Sequence, residues 1–173
     1  RLGVAGEGAC EALRTIFGGL PQTPYVAIHG ERGLLIALPG NRYEIVAAPE
    51  QSGALWQALR PVCTPVGAAC WDWLAIHAGV PAILPATQEQ FTPQMANVEL
   101  LGGVSFTKGC YTGQEVVART QHLGKVKRRL YLAHILGDGA PQPGDELSGT
   151  EHGMIVNAQA APDGGFDVLA VIV

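Results

Sequence analysis

Apolar residues recur at helical spacing between Glu7 and Phe17, with Ala9, Leu13, Ile16 and Phe17 on one side and Gly18-Gly19 closing the run. That spacing predicts an amphipathic helix. A second helix is expected over Pro49–Leu59, where Pro49 suits the first turn and Leu55, Trp56 and Leu59 form the buried side. A third is expected over 68–78, with Trp71, Leu74, Ala75 and Ala78 toward the core. The intervening runs at Leu2–Ala5, 25–29, 34–38, 42–47 and 62–66 read as strands, and Gly30-Glu31-Arg32-Gly33 is a hairpin signal. Helices separated by hairpins predict an α+β fold with helices on one face of an antiparallel sheet.

From 79 to 106 the chain is rich in Pro, Gly, Gln and Thr and shows little period. A connection that long inside a compact domain is functional or contains short elements that periodicity misses. Beyond it the signal turns to strands at 126–136, 155–160 and 166–173, separated by turn clusters at 137–144 and 162–165. The expected organisation is an α+β region over 1–124 followed by a small C-terminal β-barrel over 125–173.

Composition narrows the class. With 47% hydrophobic and 15% charged residues, the chain is no disordered tail, since soluble domains average about 25% charged. No apolar run approaches the roughly 20 residues that span a bilayer; the stretch 74–86 is broken by His77, Gly79, Pro81 and Pro85. Arg1 opens directly on a strand with no basic-then-apolar leader, so a fragment of a longer chain is expected. Cysteines 10, 63, 70 and 110 make no C-x-x-C pair and have no short spacing to the five histidines. No metal site and no disulfide framework is expected, and a reducing cytoplasm is the expected compartment.

Charge is unevenly placed. The net charge is -4, yet residues 108–129 hold six of the eleven Lys and Arg residues, all three lysines among them, against the single acid Glu115. A field of that sign attracts an anionic ligand or nucleic acid, and the plainer reading is a solvated basic strand.

The same window contains Lys108-Gly109-Cys110-Tyr111-Thr112-Gly113-Gln114-Glu115. Thr112 and Glu115 have the spacing of a capping box, so a helix of about 11 residues is expected to begin there. Val116, Thr120 and Leu123 would share a face, Glu115 and Arg119 would pair at i,i+4, and Gly124 would end the helix. Cys110 precedes that N-cap by two residues, where unpaired N–H groups and the helix dipole favour an anion, and Lys108 adds positive charge. A thiol so placed is of the reactive kind; the plainer reading is a small apolar residue. Trp56, Trp71 and Trp73 read as packing residues, and the amides of Gln94 and Asn97 suit either a ligand or a turn.

KGCYTGQE followed by VVAR resembles the signature of the YgfZ family, folate-binding proteins related to the glycine cleavage T-protein and linked to iron-sulfur cluster assembly or repair. Gly79-Val80-Pro81 and Pro93-Gln94-Met95-Ala96-Asn97, with the LLGGVSF stretch at 100–106, resemble further stretches of that family, so the resemblance covers about residues 70–129. It implies ferredoxin-like, T-protein-like α+β domains and a C-terminal β-barrel around a folate pocket, with a first part preceding this chain. It also implies Cys110 and Lys108 as the reacting positions and tetrahydrofolate or a derivative as cofactor, contacted by Gln94, Asn97, Tyr111, Gln114, Glu115 and Arg119. The implied partners are iron-sulfur enzymes or cluster-assembly proteins, with tRNA-modifying enzymes among the clients. The rival is a tetrahydrofolate-dependent aminomethyltransferase, but T-proteins resemble K-x-x-F-I-G-x-E-A-L in this segment, without a cysteine, and Cys110 favours the accessory role. Where T-proteins carry an acid that recognises the pterin, His77 stands here. A nucleic-acid module built on 125–129 ranks last, because no recognised binding fold accompanies the charge.

Overall fold

The computed structural model describes residues 1–173, which divide into two compact units, Arg1–Trp71 and Asp72–Val173. The first contains β1 (Leu2–Ala5), α1 (Glu7–Phe17), β2 (Ala27–Gly30), β3 (Gly33–Leu38), β4 (Arg42–Val46) and α2 (Pro49–Leu59). Its strands form one antiparallel sheet in the order β1-β4-β3-β2. Leu35 and Ile45 are partners across β3 and β4, and they pack with Val4 against Ala9, Leu13 and Phe17 of α1 and Leu55 and Leu59 of α2. The turn Glu31-Arg32 closes the hairpin with Gly30 opposite Gly33. Gly33 has φ 131°, and a Cβ there would lie 2.5 Å from the Val46 carbonyl oxygen, so the position requires glycine.

The second unit takes in the end of α3 (Ala68–His77), a short 3-10 turn at Pro85–Thr87, α4 (Gln114–His122), β5 (Arg129–Ile135), β6 (Met154–Ala160) and β7 (Phe166–Ile172). Gly79, at φ 67°, terminates α3, with the Val80 N–H bonded to the Ala75 carbonyl across the turn. The sheet is antiparallel in the order β5-β7-β6. Leu169 and Val171 of the central strand pack with Ile76, Leu130 and Val156, while Val168 and Ala170 pack with Ile155 on the other side. This two-sided burial explains why Phe166–Ile172 reads as an almost continuous apolar run.

Several expectations need correction. The three C-terminal strands form an open sheet, and no closed barrel is present. Residues 62–66 form turns and extended chain instead of a strand, because Pro61 and Pro65 each lack an N–H that a ladder needs; Val62 and Val66 are exposed. Trp56 also lies exposed, since the buried line of α2 is the i,i+4 pair Leu55 and Leu59. In α3 the buried residue is Ile76, with Trp71, Leu74, Ala75 and Ala78 only half-buried; a helix apolar on every side leaves periodicity no face to select.

The expected capping box does not form. Gly113 adopts the left-handed conformation, φ 82° and ψ 0°, so Thr112 is not followed by the helical residue that the box requires. The helix starts at Gln114, whose Oε1 accepts the Tyr111 N–H at 3.1 Å, and it runs nine residues. Its face is also rotated from the expected one: Val117 is buried, whereas Val116 and Leu123 are exposed. Glu115 and Arg119 are both exposed and form no ion pair.

Candidate functional site

Residues 108–115 reach the surface as an irregular segment leading into α4, with Lys108, Cys110, Thr112 and Glu115 exposed and Tyr111 and Gln114 half-buried. The Lys108 ammonium lies 4.3 Å from the centroid of the Tyr111 ring, a cation–π contact within the motif itself. Cys110 is a free thiol. No acid or base hydrogen-bonds to its sulfur, so the segment offers an accessible soft donor without a built-in proton acceptor.

Behind the motif, one polar network holds the loop after α3, α4 and β5 together. Gln94 is fully buried, and its Nε2 donates to the Val117 carbonyl at 2.7 Å. Asn97 donates to the Leu130 carbonyl at 2.8 Å. Arg129 binds the Gln94 carbonyl at 3.0 Å and the Asn97 Oδ1 at 3.2 Å, and its guanidinium is ion-paired with Glu99. Gln94 and Asn97 thus spend their amide N–H groups on the fold. Two buried acceptors in this network, Gln94 Oε1 and Glu99 Oε2, have no donor.

That orphan makes a stability prediction. Gln94→Leu removes one hydrogen bond but also one unpaired buried oxygen, so denaturant titration is expected to show a loss of about 1 kcal/mol or less. Gln94→Glu places a charge there and is expected to cost more, about 2 kcal/mol or above. Equal losses would contradict this assignment.

A second constellation of this unit escaped the sequence reading. The buried carboxylate of Asp167 on β7 accepts from three rings: Trp73 Nε1 at 2.7 Å and His77 Nε2 at 2.8 Å on Oδ2, and His134 Nδ1 at 2.7 Å on Oδ1. Trp73 and His77 are four apart on α3, their ring centroids 4.1 Å from each other. His134 is the register partner of Asp167 across β5 and β7. These donors, His77 foremost, hold the Asp167 carboxyl down at about 2, against the opposing effect of its burial. Gly165 leaves room for the arrangement, since a Cβ there would lie 2.9 Å from His134 Nε2. The signal that could have found the cluster was the single charged residue in the apolar run of β7.

In the first unit an open groove of about 920 Å³ runs between the C-terminal half of α1 and the β2–β3 turn, lined by Ile16, Phe17, His29 and Arg32 among others; it contains none of the motif residues. No group of three His, Cys, Asp or Glu side chains is arranged to hold a metal ion. No helix is long and apolar enough to cross a membrane.

No family model matches the chain. Among curated proteins, it is 40% identical over 148 residues to a protein of Pectobacterium carotovorum subsp. carotovorum (strain PC1), covering 84% of this chain and 44% of that one. It is 38% identical over 179 residues to one of Yersinia pseudotuberculosis serotype IB (strain PB1/+), covering 99% of this chain and 54% of that one. A protein of Klebsiella pneumoniae (strain 342) is 39% identical over 148 residues. All three relatives are named tRNA-modifying protein YgfZ. The chain spans about half the length of the curated relatives it matches.

Proposed function

The chain belongs to the YgfZ family, and from that premise we propose that it is part of a folate-binding accessory protein that assembles or repairs iron-sulfur enzymes, those that modify tRNA included. The observation that carries the reading is the accessible Cys110 thiol in KGCYTGQE, presented ahead of α4 with no base of its own. One thiol cannot hold a cluster that takes four protein ligands, so Cys110 acts transiently or shares the cluster with its client. A thiolate is a soft ligand suited to that contact, and Lys108 contributes positive charge in the same segment. The relatives' name supports the tRNA side of the reading, through enzymes acting on tRNA.

Tetrahydrofolate is the proposed cofactor. The chemistry that fits it is the pair of donor-less buried acceptors, Gln94 Oε1 and Glu99 Oε2, because a pterin edge presents N–H donors. Tyr111, Gln114, Glu115 and Arg119 are the further contacts, with the exposed Arg119 guanidinium matched to a folate carboxylate. When bound, the folate would supply a one-carbon carrier or a redox-active pterin. The acid that T-proteins direct at the pterin has its counterpart here in His77, whose Nε2 is engaged by Asp167. Calorimetric titration of the full-length protein with tetrahydrofolate is expected to show one site, weakened several-fold by Arg119→Ala. Absence of binding would remove the cofactor from the reading.

A further inference from the structure

We infer that the exposed edge formed by α4 and its flanking loops is a docking surface for single-stranded RNA. Of the six cations in 108–129, Arg129 is paired with Glu99, and Arg128 donates to the His152 carbonyl at 2.7 Å. The other four, Lys108, Arg119, Lys125 and Lys127, are exposed and have no carboxylate partner. Aromatic groups stand at both ends of the helix. Tyr111, under the Lys108 ammonium, is tied to the first residue of α4 through the Gln114 side chain. Phe106, 44% exposed, meets the ring of His122, the last residue of α4, edge-on at 6.0 Å. A nine-residue helix is about 13 Å long, so the two aromatic groups stand at opposite ends of it, with Arg119 on the intervening helix and Lys125 and Lys127 in the chain that follows.

Single-stranded RNA presents the matching alternation, with unstacked bases for the rings and phosphates for the cations. A duplex keeps its bases inside and engages the cations alone. A folate shares Tyr111 and Arg119 with this surface, but its polyglutamate tail offers carboxylates and no second aromatic ring for Phe106 at the other end of the helix. Charge alone ranks nucleic acid last from the sequence; the aromatic groups at both ends of the helix change that ranking. The inference goes beyond the proposed accessory role, which reaches tRNA through client enzymes, by giving this chain a direct RNA contact, for which tRNA loops supply single strands.

Fluorescence anisotropy of the whole chain tests it, with a short unstructured oligoribonucleotide and the same sequence as a duplex. Phe106→Ala is expected to weaken single-strand binding about tenfold and leave the duplex unchanged, because it removes one stacking surface. The double change Lys125→Glu with Lys127→Glu is expected to weaken both RNA forms and flatten the dependence on salt. All three positions are exposed, and an unchanged circular dichroism spectrum confirms folding. No binding at low salt overturns the inference, as does an equal effect of Phe106→Ala on both RNA forms. If Cys110→Ser abolishes support of iron-sulfur enzymes while RNA does not bind, the accessory role stands and the docking surface falls; RNA binding with a silent Cys110→Ser gives the reverse.

Discussion

Cys110→Ser in the full-length protein is expected to reduce iron-sulfur enzyme activity, tRNA modification included, to the level of cells lacking the protein, while glycine cleavage continues. Serine keeps a group of similar size, but its hydroxyl supplies neither the nucleophile nor the soft ligand of a thiolate. The fold should be indifferent to the change, because Cys110 is exposed and α4 is started by Gly113 and Gln114, not by the cysteine. Assays of iron-sulfur enzymes in cells, run beside a glycine cleavage assay and a melting curve of the variant, separate the alternatives. A lowered melting temperature would assign Cys110 to structure. Lost glycine cleavage with intact iron-sulfur enzymes would replace the accessory role by the aminomethyltransferase.

Asp167→Asn is expected to be the most damaging single polar substitution in the second unit, costing about 2 to 3 kcal/mol at neutral pH. The carboxylate receives three ring N–H groups, and an amide offers them one oxygen while turning a second donor toward them. The sign with pH follows from the direction of the shift. A carboxyl held at about 2 in the folded state, against an ordinary 3.8, contributes stability that is complete above the ordinary value and disappears as pH falls toward 2. Urea titrations of both proteins between pH 7 and pH 2 are therefore expected to show a gap that closes as pH falls from about 4 toward 2. A gap that persists unchanged to pH 2 would show that Asp167 acts by shape and not by charge.

Short-range signals in this chain were legible because the backbone decides them locally. The apolar spacing and terminal glycines of Glu7–Phe17, the proline opening Pro49–Leu59, and the glycines bracketing Glu31-Arg32 each act within one or two turns of chain. The motif around Cys110 was legible for the same reason, as a run of eight residues with a distinctive composition. Its detail was not: Thr112 and Glu115 satisfy a capping pattern on paper, but Gly113 takes a left-handed conformation and the helix begins after it.

Which face of each helix is buried, and which polar side chains meet, depended on contacts between distant segments. α4 buries Val117 and exposes Val116, and Gln94, 23 positions earlier, anchors this helix from the loop through the Val117 carbonyl. Trp73 and His77 are four apart on one helix, but no spacing in the sequence connects them to His134 or Asp167. The register of β5 against β7 sets His134 opposite Asp167, and the tertiary placement of α3 brings Trp73 and His77 to the same carboxylate. Local chain geometry is written in neighbouring residues, so the sequence alone determined α1, α2, the β2–β3 hairpin and the motif, but not the chain at 62–66 or the bounds of α4. The energy of a buried carboxylate depends on donors delivered from other elements, and only the folded structure could decide that.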